Sequence, residues 1–196
     1  NPVKSLETQA NGQDFLIAGR NVNMVSGQTL PDGDPWLQRQ NEPSIAVSTR
    51  NPMHLLAGSN DYCTVDIPES VGELPGKQGP VAAGDAWLGV YYSTDGGESW
   101  IHDLLPGYPQ DPSNASPLKG YEAAADPVVR AGANGMFFYC GIVFNRLTHE
   151  GAIFVSRFID NNNDEVGNPI KYLDTKIVAT GNANFFVDKP WIAVDK

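Results

Sequence analysis

Carboxylates and amides recur in this chain at places where a fold could gather them. Glu42 stands before Pro43 and after Asn41, Asp126 stands before Pro127, and Asp188 lies two residues before Pro190. Ser59, Asn60 and Asp61 form a short polar run, and Tyr121–Glu122 and Asn145–Arg146 are polar pairs. Brought together, such carboxylates could bind a cation, raise one another's pKa, or act as acid and nucleophile on a sugar. The plainer alternative is that acids before proline cap strand entrances in a wet channel. Asp160, Asn162 and Asp164 alternate like the start of a calcium loop, where oxygens converge on a hard cation. The sixth place holds Glu165 instead of Gly, and Tyr172 falls near the expected bidentate acid, so a solvated polar turn competes with calcium.

Several other chemistries have no basis here. His54, His102 and His149 are scattered without an H-E-x-x-H pair, and His54 suits packing better than ligation. The chain has no G-x-S-x-G elbow, phosphate loop or dinucleotide fingerprint. A net charge of −10 argues against a nucleic-acid partner, since nothing would replace the phosphate counterions. No apolar run approaches the ~20 residues that a membrane span needs. Cys63 and Cys140 are the only cysteines and lack metal spacing; two unpaired, half-buried thiols are expected, with a disulfide as the alternative. Asn114-Ala115-Ser116 is a sequon, a pattern short enough to arise by chance. The absence of an initiator Met and of a signal peptide predicts a chain that begins after a processing site or within a longer precursor.

The elements that must position these groups are strands. The chain holds 20 Gly and 15 Pro among 196 residues, above a usual combined share of about 12%, as a turn-rich β-protein requires. An internal repeat is legible. Glu42-Pro43-Ser44-Ile45-Ala46-Val47 is echoed by Asp126-Pro127-Val128-Val129-Arg130-Ala131 and again by Lys189-Pro190-Trp191-Ile192-Ala193-Val194. Each proline is expected to open a first strand, where a missing N–H does least harm. Second strands are predicted at 53–58 and 136–141, third strands at 88–93 and 151–156, and fourth strands at 100–104 and 176–179. The organisation is then an arm over 1–40, repeat units over 41–124 and 125–187, and the start of a third over 188–196. Within the arm, period-two spacing of Val22, Met24 and Ser26 predicts a strand near 20–26, which could close a ring.

The turn between the third and fourth strands of the first unit is the most specific local signal. Ser93 and Asp95 can fold their oxygens onto turn N–H groups, Gly96 and Gly97 can supply positive φ, and Trp100 can plug the turn from beneath. Ser93-x-Asp95-x-Gly97-x-x-Trp100 matches the Asp box, and with it the chain resembles the sialidase-like, or BNR-repeat, family of β-propellers. The resemblance implies an all-β propeller of four-stranded antiparallel blades, six or seven in a full ring, with about two and a half present here. The second unit would carry a degenerate box in which Ser156 keeps its place and Asp160–Glu165 replaces the tight turn.

What the resemblance implies for function is divided. In that family the box is a structural staple on the face opposite the active site. First-strand starts and second-strand ends would share an axial funnel, placing Asn41, Glu42, Asp126 and Asp188 beside Ser59, Asn60, Asp61, Asn145 and Arg146, with Tyr121 and Glu122 nearby. The family's enzymes hold a substrate carboxylate with arginines, the first in an Arg-Ile-Pro motif. Here the triplet is Asn41-Glu42-Pro43, with Arg39 two residues upstream, which argues against sialoside cleavage. The expectation is an exported protein (secreted, periplasmic or at the cell surface) that binds a glycan or protein partner without catalysis. The alternatives are a glycoside hydrolase using the funnel carboxylates and a structural subunit of a larger surface assembly. No cofactor is expected, with Ca2+ at Asp160, Asn162 and Asp164 as the alternative. Trp36, Trp87 and Tyr108, in loop-like stretches, are read as covers for blade edges or platforms for sugar rings.

Overall fold

A computed structural model describes residues 20–34, 37–65, 85–163 and 167–195, together with the backbone of Glu7–Thr8 (β1) and Asp14–Phe15 (β2). Ten strands are described, with no helix beyond short 3-10 turns. β1 and β2 pair with each other; the rest form two four-stranded antiparallel sheets, each a simple up-and-down meander. The first contains β3 (Gln40–Val47), β4 (Leu55–Asp61), β5 (Trp87–Ser93) and β6 (Ile101–Leu104). The second contains β7 (Ala123–Ala131), β8 (Met136–Phe144), β9 (Gly151–Asp160) and β10 (Ile170–Gly181). The eight strands fall where the repeat predicts them, with boundaries shifted; β10 is the main extension, reaching from 170 to 181.

The sheets pack face to face through alternating apolar residues, the period-two pattern expected of sheets with a buried face. Leu56, Leu88, Val90 and Tyr92 from the first meet Phe137, Tyr139, Phe154 and Phe158 from the second in one core cluster. Tyr139 is fully buried and donates its hydroxyl to the Gly89 carbonyl at 2.9 Å, joining the sheets mid-core. Its ring leaves no space at Gly58, where a Cβ would stand 2.4 Å from the Tyr139 oxygen. The first strands β3 and β7 lie beside one another, and the Val129 N–H donates to Ser44 Oγ at 2.9 Å between them.

Several expectations require correction. Pro43 and Pro127 do not open their strands. Both lie inside, at register breaks between Asn41 and Ser44 and between Ala125 and Val128. A bulge residue has no ladder partner, so proline's missing N–H costs little there. Residues 20–26 form no strand; Val22 and Met24 are half-buried, but so is Val25 between Met24 and Ser26, which breaks the predicted alternation. Trp87 is not in a loop: it begins β5, is fully buried, and donates its indole N–H to the Leu105 carbonyl at 2.7 Å. Tyr108 does lie in a loop but is buried, and Trp36 lies outside the described residues. Residues 189–194 are not assigned to a strand; they run past the second sheet with Val194 near Gly132. Ser156 does not cap a turn: it is buried mid-β9, sharing a hydrogen bond of 2.6 Å with Thr175 on β10.

The turn at 93–100 has the hydrogen bonding that its residues imply. Ser93 Oγ accepts from the Gly97 N–H at 2.8 Å, and Asp95 Oδ1 accepts from the Ser93 hydroxyl and the Ser99 N–H, both at 2.9 Å. Gly96 and Gly97 have φ of 76° and 91°, which a side chain would resist. The Trp100 indole donates to the Gly97 carbonyl at 3.2 Å. Asp95→Ala is therefore expected to cost about 1–2 kcal/mol in a denaturant titration. It should leave ligand binding by the folded protein unchanged; a binding loss at unaltered stability would assign the turn a functional role.

Candidate functional site

Glu42, Asp126 and Lys189 come together in space. Each stands before a proline at the same position of the repeat, and each has a left-handed backbone, with φ of 53°, 60° and 48°. Non-glycine residues seldom adopt that conformation, so three repeats share one strained geometry at one sequence place. In β3 and β7 this is the bulge itself, which turns the acid out of the ladder. The Lys189 ammonium lies 2.8 Å from Glu42 Oε2 and 3.3 Å from Asp126 Oδ1. Asn60, at the end of β4, accepts from the Asp126 N–H at 2.8 Å, and Asn41 is its register partner. Asp188 is exposed and accepts from the Lys189 N–H.

The two carboxyls flank one ammonium, and their surroundings push their pKa values apart. Burial first, then the bond to Glu42 and its charge, raises Asp126 to about 6. The Asp126 hydrogen bond, followed by that of Lys189, lowers Glu42 below its ordinary value. The Asp126 side chain is 13% exposed against 42% for Glu42, which fits the direction of the split. Two acids of unequal basicity beside one cation can accept hydroxyl donors, or give up and take back a proton.

The other sequence candidates lie elsewhere. Tyr121, Glu122, Asn145 and Arg146 gather at the start of β7 and the end of β8. There Asn145 Oδ1 accepts from the Glu122 N–H, and Glu122 Oε2 from the Arg146 N–H. Arg146 also pairs with Asp85 and lies over the Phe144 ring. No hydrogen bond or ion pair links this patch to Glu42 and Asp126 among the described residues. Arg39 sits over the Tyr62 ring, 4.4 Å from its centroid.

Asp61 is not a rim residue: it is fully buried on the opposite face of β4 from the core sheet contact. Its carboxylate accepts from His102 Nε2 at 2.7 Å, Tyr91 Oη at 3.0 Å and the Cys63 N–H at 2.9 Å. Gly89 makes this possible, because a Cβ there would stand 2.5 Å from the Tyr91 oxygen. Asp61, Cys63 and His102 have the donor types of a transition-metal site, within 4.8 Å of one another. The carboxylate already takes these donors, and burial raises the Cys63 thiol well above its ordinary value. Cys63 and Cys140 are both buried free thiols.

Asp160 is also fully buried, with Oδ1 accepting from His54 Nδ1 at 3.0 Å and the Asn162 N–H at 2.8 Å, and Oδ2 from the Ser48 hydroxyl. Asn162 is engaged by Asn51 at 2.9 Å, and Asp164 lies outside the described residues. A cation at Asp160 would have to displace these protons.

Sequence reading missed a groove of about 880 Å³ between the loop after β6 and the outer strand β10. Asp103 lines it, and burial raises that carboxyl to about 6. No signal in the sequence relates these two segments, about seventy residues apart. No family model matches the chain, and no curated protein or solved structure is significantly similar to it.

Proposed function

We propose that the chain is part of an exported, sialidase-like β-propeller that binds a neutral glycan through the Glu42–Asp126–Lys189 cluster without sialidase chemistry. Two four-stranded meanders with neighbouring first strands are compatible with propeller blades, and the hydrogen bonds of the 93–100 turn are those expected of an Asp box. The observation that carries the reading is the repeated left-handed residue before proline, which in a ring delivers one side chain per blade to a common axis. A pair of acids with one lysine suits the vicinal hydroxyls of a neutral sugar. Arg39, the arginine nearest the expected triplet, is stacked on Tyr62, so a sialoside carboxylate would meet Glu42 without a guanidinium clamp.

Calorimetric titration with neutral oligosaccharides tests this. Glu42→Gln combined with Asp126→Asn is expected to weaken axial binding at least tenfold, at unchanged melting temperature. A fluorogenic sialoside should be neither bound nor turned over. The split between a raised Asp126 and a lowered Glu42 favours, as second reading, a glycoside hydrolase with Asp126 as acid. Hydrolysis of a neutral aryl glycoside, abolished by Asp126→Asn, would replace the binding reading with that one.

A further inference from the structure

The groove beyond β6 has two walls of different character. One is formed by Asp103 at the end of β6 and by the loop running to Pro117, including Ser113 and Asn114; the other is the stretch of β10 from Tyr172 to Ile177. At about 880 Å³ it lies within the range of small-ligand sites, and it is open at one side. Its acids are not equivalent. Asp111 is occupied by the Gly107 and Ser113 N–H groups, and Asp174 is held by a two-pronged pair with Arg157 at 2.7 Å. Asp103 accepts one bond, from the Leu104 N–H to Oδ1, and Oδ2 has no partner among the described residues. That oxygen is not sealed from solvent, so it stays open to a donor from a ligand in the groove.

We propose that this groove is a second binding site, separate from the axial cluster, for a neutral saccharide of two or three rings anchored through hydroxyl donation to Asp103. A pyranose offers an apolar face and a rim of hydroxyls, and the groove offers matching surfaces. Leu104, Pro106, Leu173 and Ile177 supply apolar wall, while Ser113 and Asn114 are exposed polar groups along the opening. An anionic ligand is disfavoured, because Asp103, Asp111 and Asp174 face Lys176 as the one cation among the lining residues.

The site stands independently of the axial reading, and the experiment keeps the two apart. The Glu42→Gln/Asp126→Asn variant, with its axial acids neutralised, is titrated calorimetrically with malto-, cello-, xylo- and chito-hexaose and with hexalysine. At least one neutral hexasaccharide is expected to bind this variant. Adding Asp103→Asn should then weaken binding at least tenfold. Ala115→Trp, on the exposed loop, should block it with the melting temperature unchanged. Absence of binding by every saccharide, binding that survives both groove changes, or binding of hexalysine in their place would each overturn the proposal.

Discussion

Replacing Asp61 with Ala is expected to lower stability by about 3–5 kcal/mol, since removing one partner strands the others in a dry site. Four donors converge on that carboxylate: His102 Nε2, the Tyr91 hydroxyl, the Cys63 N–H and, at 3.3 Å, the Gln40 side-chain amide. His102 and Tyr91 are themselves buried, their rings stacked with centroids 4.8 Å apart, so water cannot take the place of the lost acceptor. Asp61→Asn should fare little better, because its amide would point N–H groups at other donors. The size of the effect is large against a typical total of 5–15 kcal/mol. It should also depend on pH in a definite sense. Burial alone would raise this carboxyl, but the hydrogen bonds of His102 and Cys63 outweigh it and hold the group down to about 2. A lowered folded value means that the stabilisation is present above the ordinary 3.8 and is lost as pH falls towards 2. At 1.36 kcal/mol per pH unit, that gap corresponds to about 2 kcal/mol. The stability gap between wild type and Asp61→Ala, read from urea titrations, should therefore narrow by about 2 kcal/mol as pH falls from 7 to 2; a constant difference from pH 7 to 2 would contradict the assignment.

The eight sheet strands were legible because their signals are local. Proline before a β-rich run, alternation, and the Ser93–Trp100 turn chemistry each lie within one element. The bulges were not legible, because a proline reads alike whether it opens a strand or sits at an unpaired position within one. Residues 20–26 show the converse: Val22 and Met24 are half-buried as spaced, but Val25 is too, and pairing requires a neighbouring edge that alternation does not specify. For the site, the place of Glu42 and Asp126 in the repeat was readable and suggested convergence. Lys189 was visible as the third repeat's residue, but its role needed all three backbones to turn left-handed. Asp61 was misplaced because adjacent strand residues point to opposite faces, so Asn60 reaches the Asp126 N–H while Asp61 turns into the protein.

Asp160→Ala is expected to cost a similar ~3–5 kcal/mol and to loosen one sheet from the other. Asp160 ends β9 in the second sheet, whereas Ser48 and His54, which donate to it, flank the β3–β4 turn of the first. Arg50 adds a bond from its guanidinium to the Asp160 carbonyl at 2.8 Å, and its stem packs near Gly135. The latch joins residues over a hundred positions apart, so little of it can exist in the unfolded chain. A comparison within the protein isolates burial as the decisive quantity. The Arg157–Asp174 pair has better geometry, two bonds of 2.7 Å, yet its side chains are 48% and 30% exposed, and Asp174→Ala should cost far less than Asp160→Ala. A double-mutant cycle between His54→Ala and Asp160→Ala should give a coupling of about 1–3 kcal/mol, as expected for contacting residues in one network. Near-additivity in that cycle, or an Asp160→Ala loss no larger than that of Asp174→Ala, would show that the sheets are held together by the Tyr139–Phe158 core without help from this buried acid.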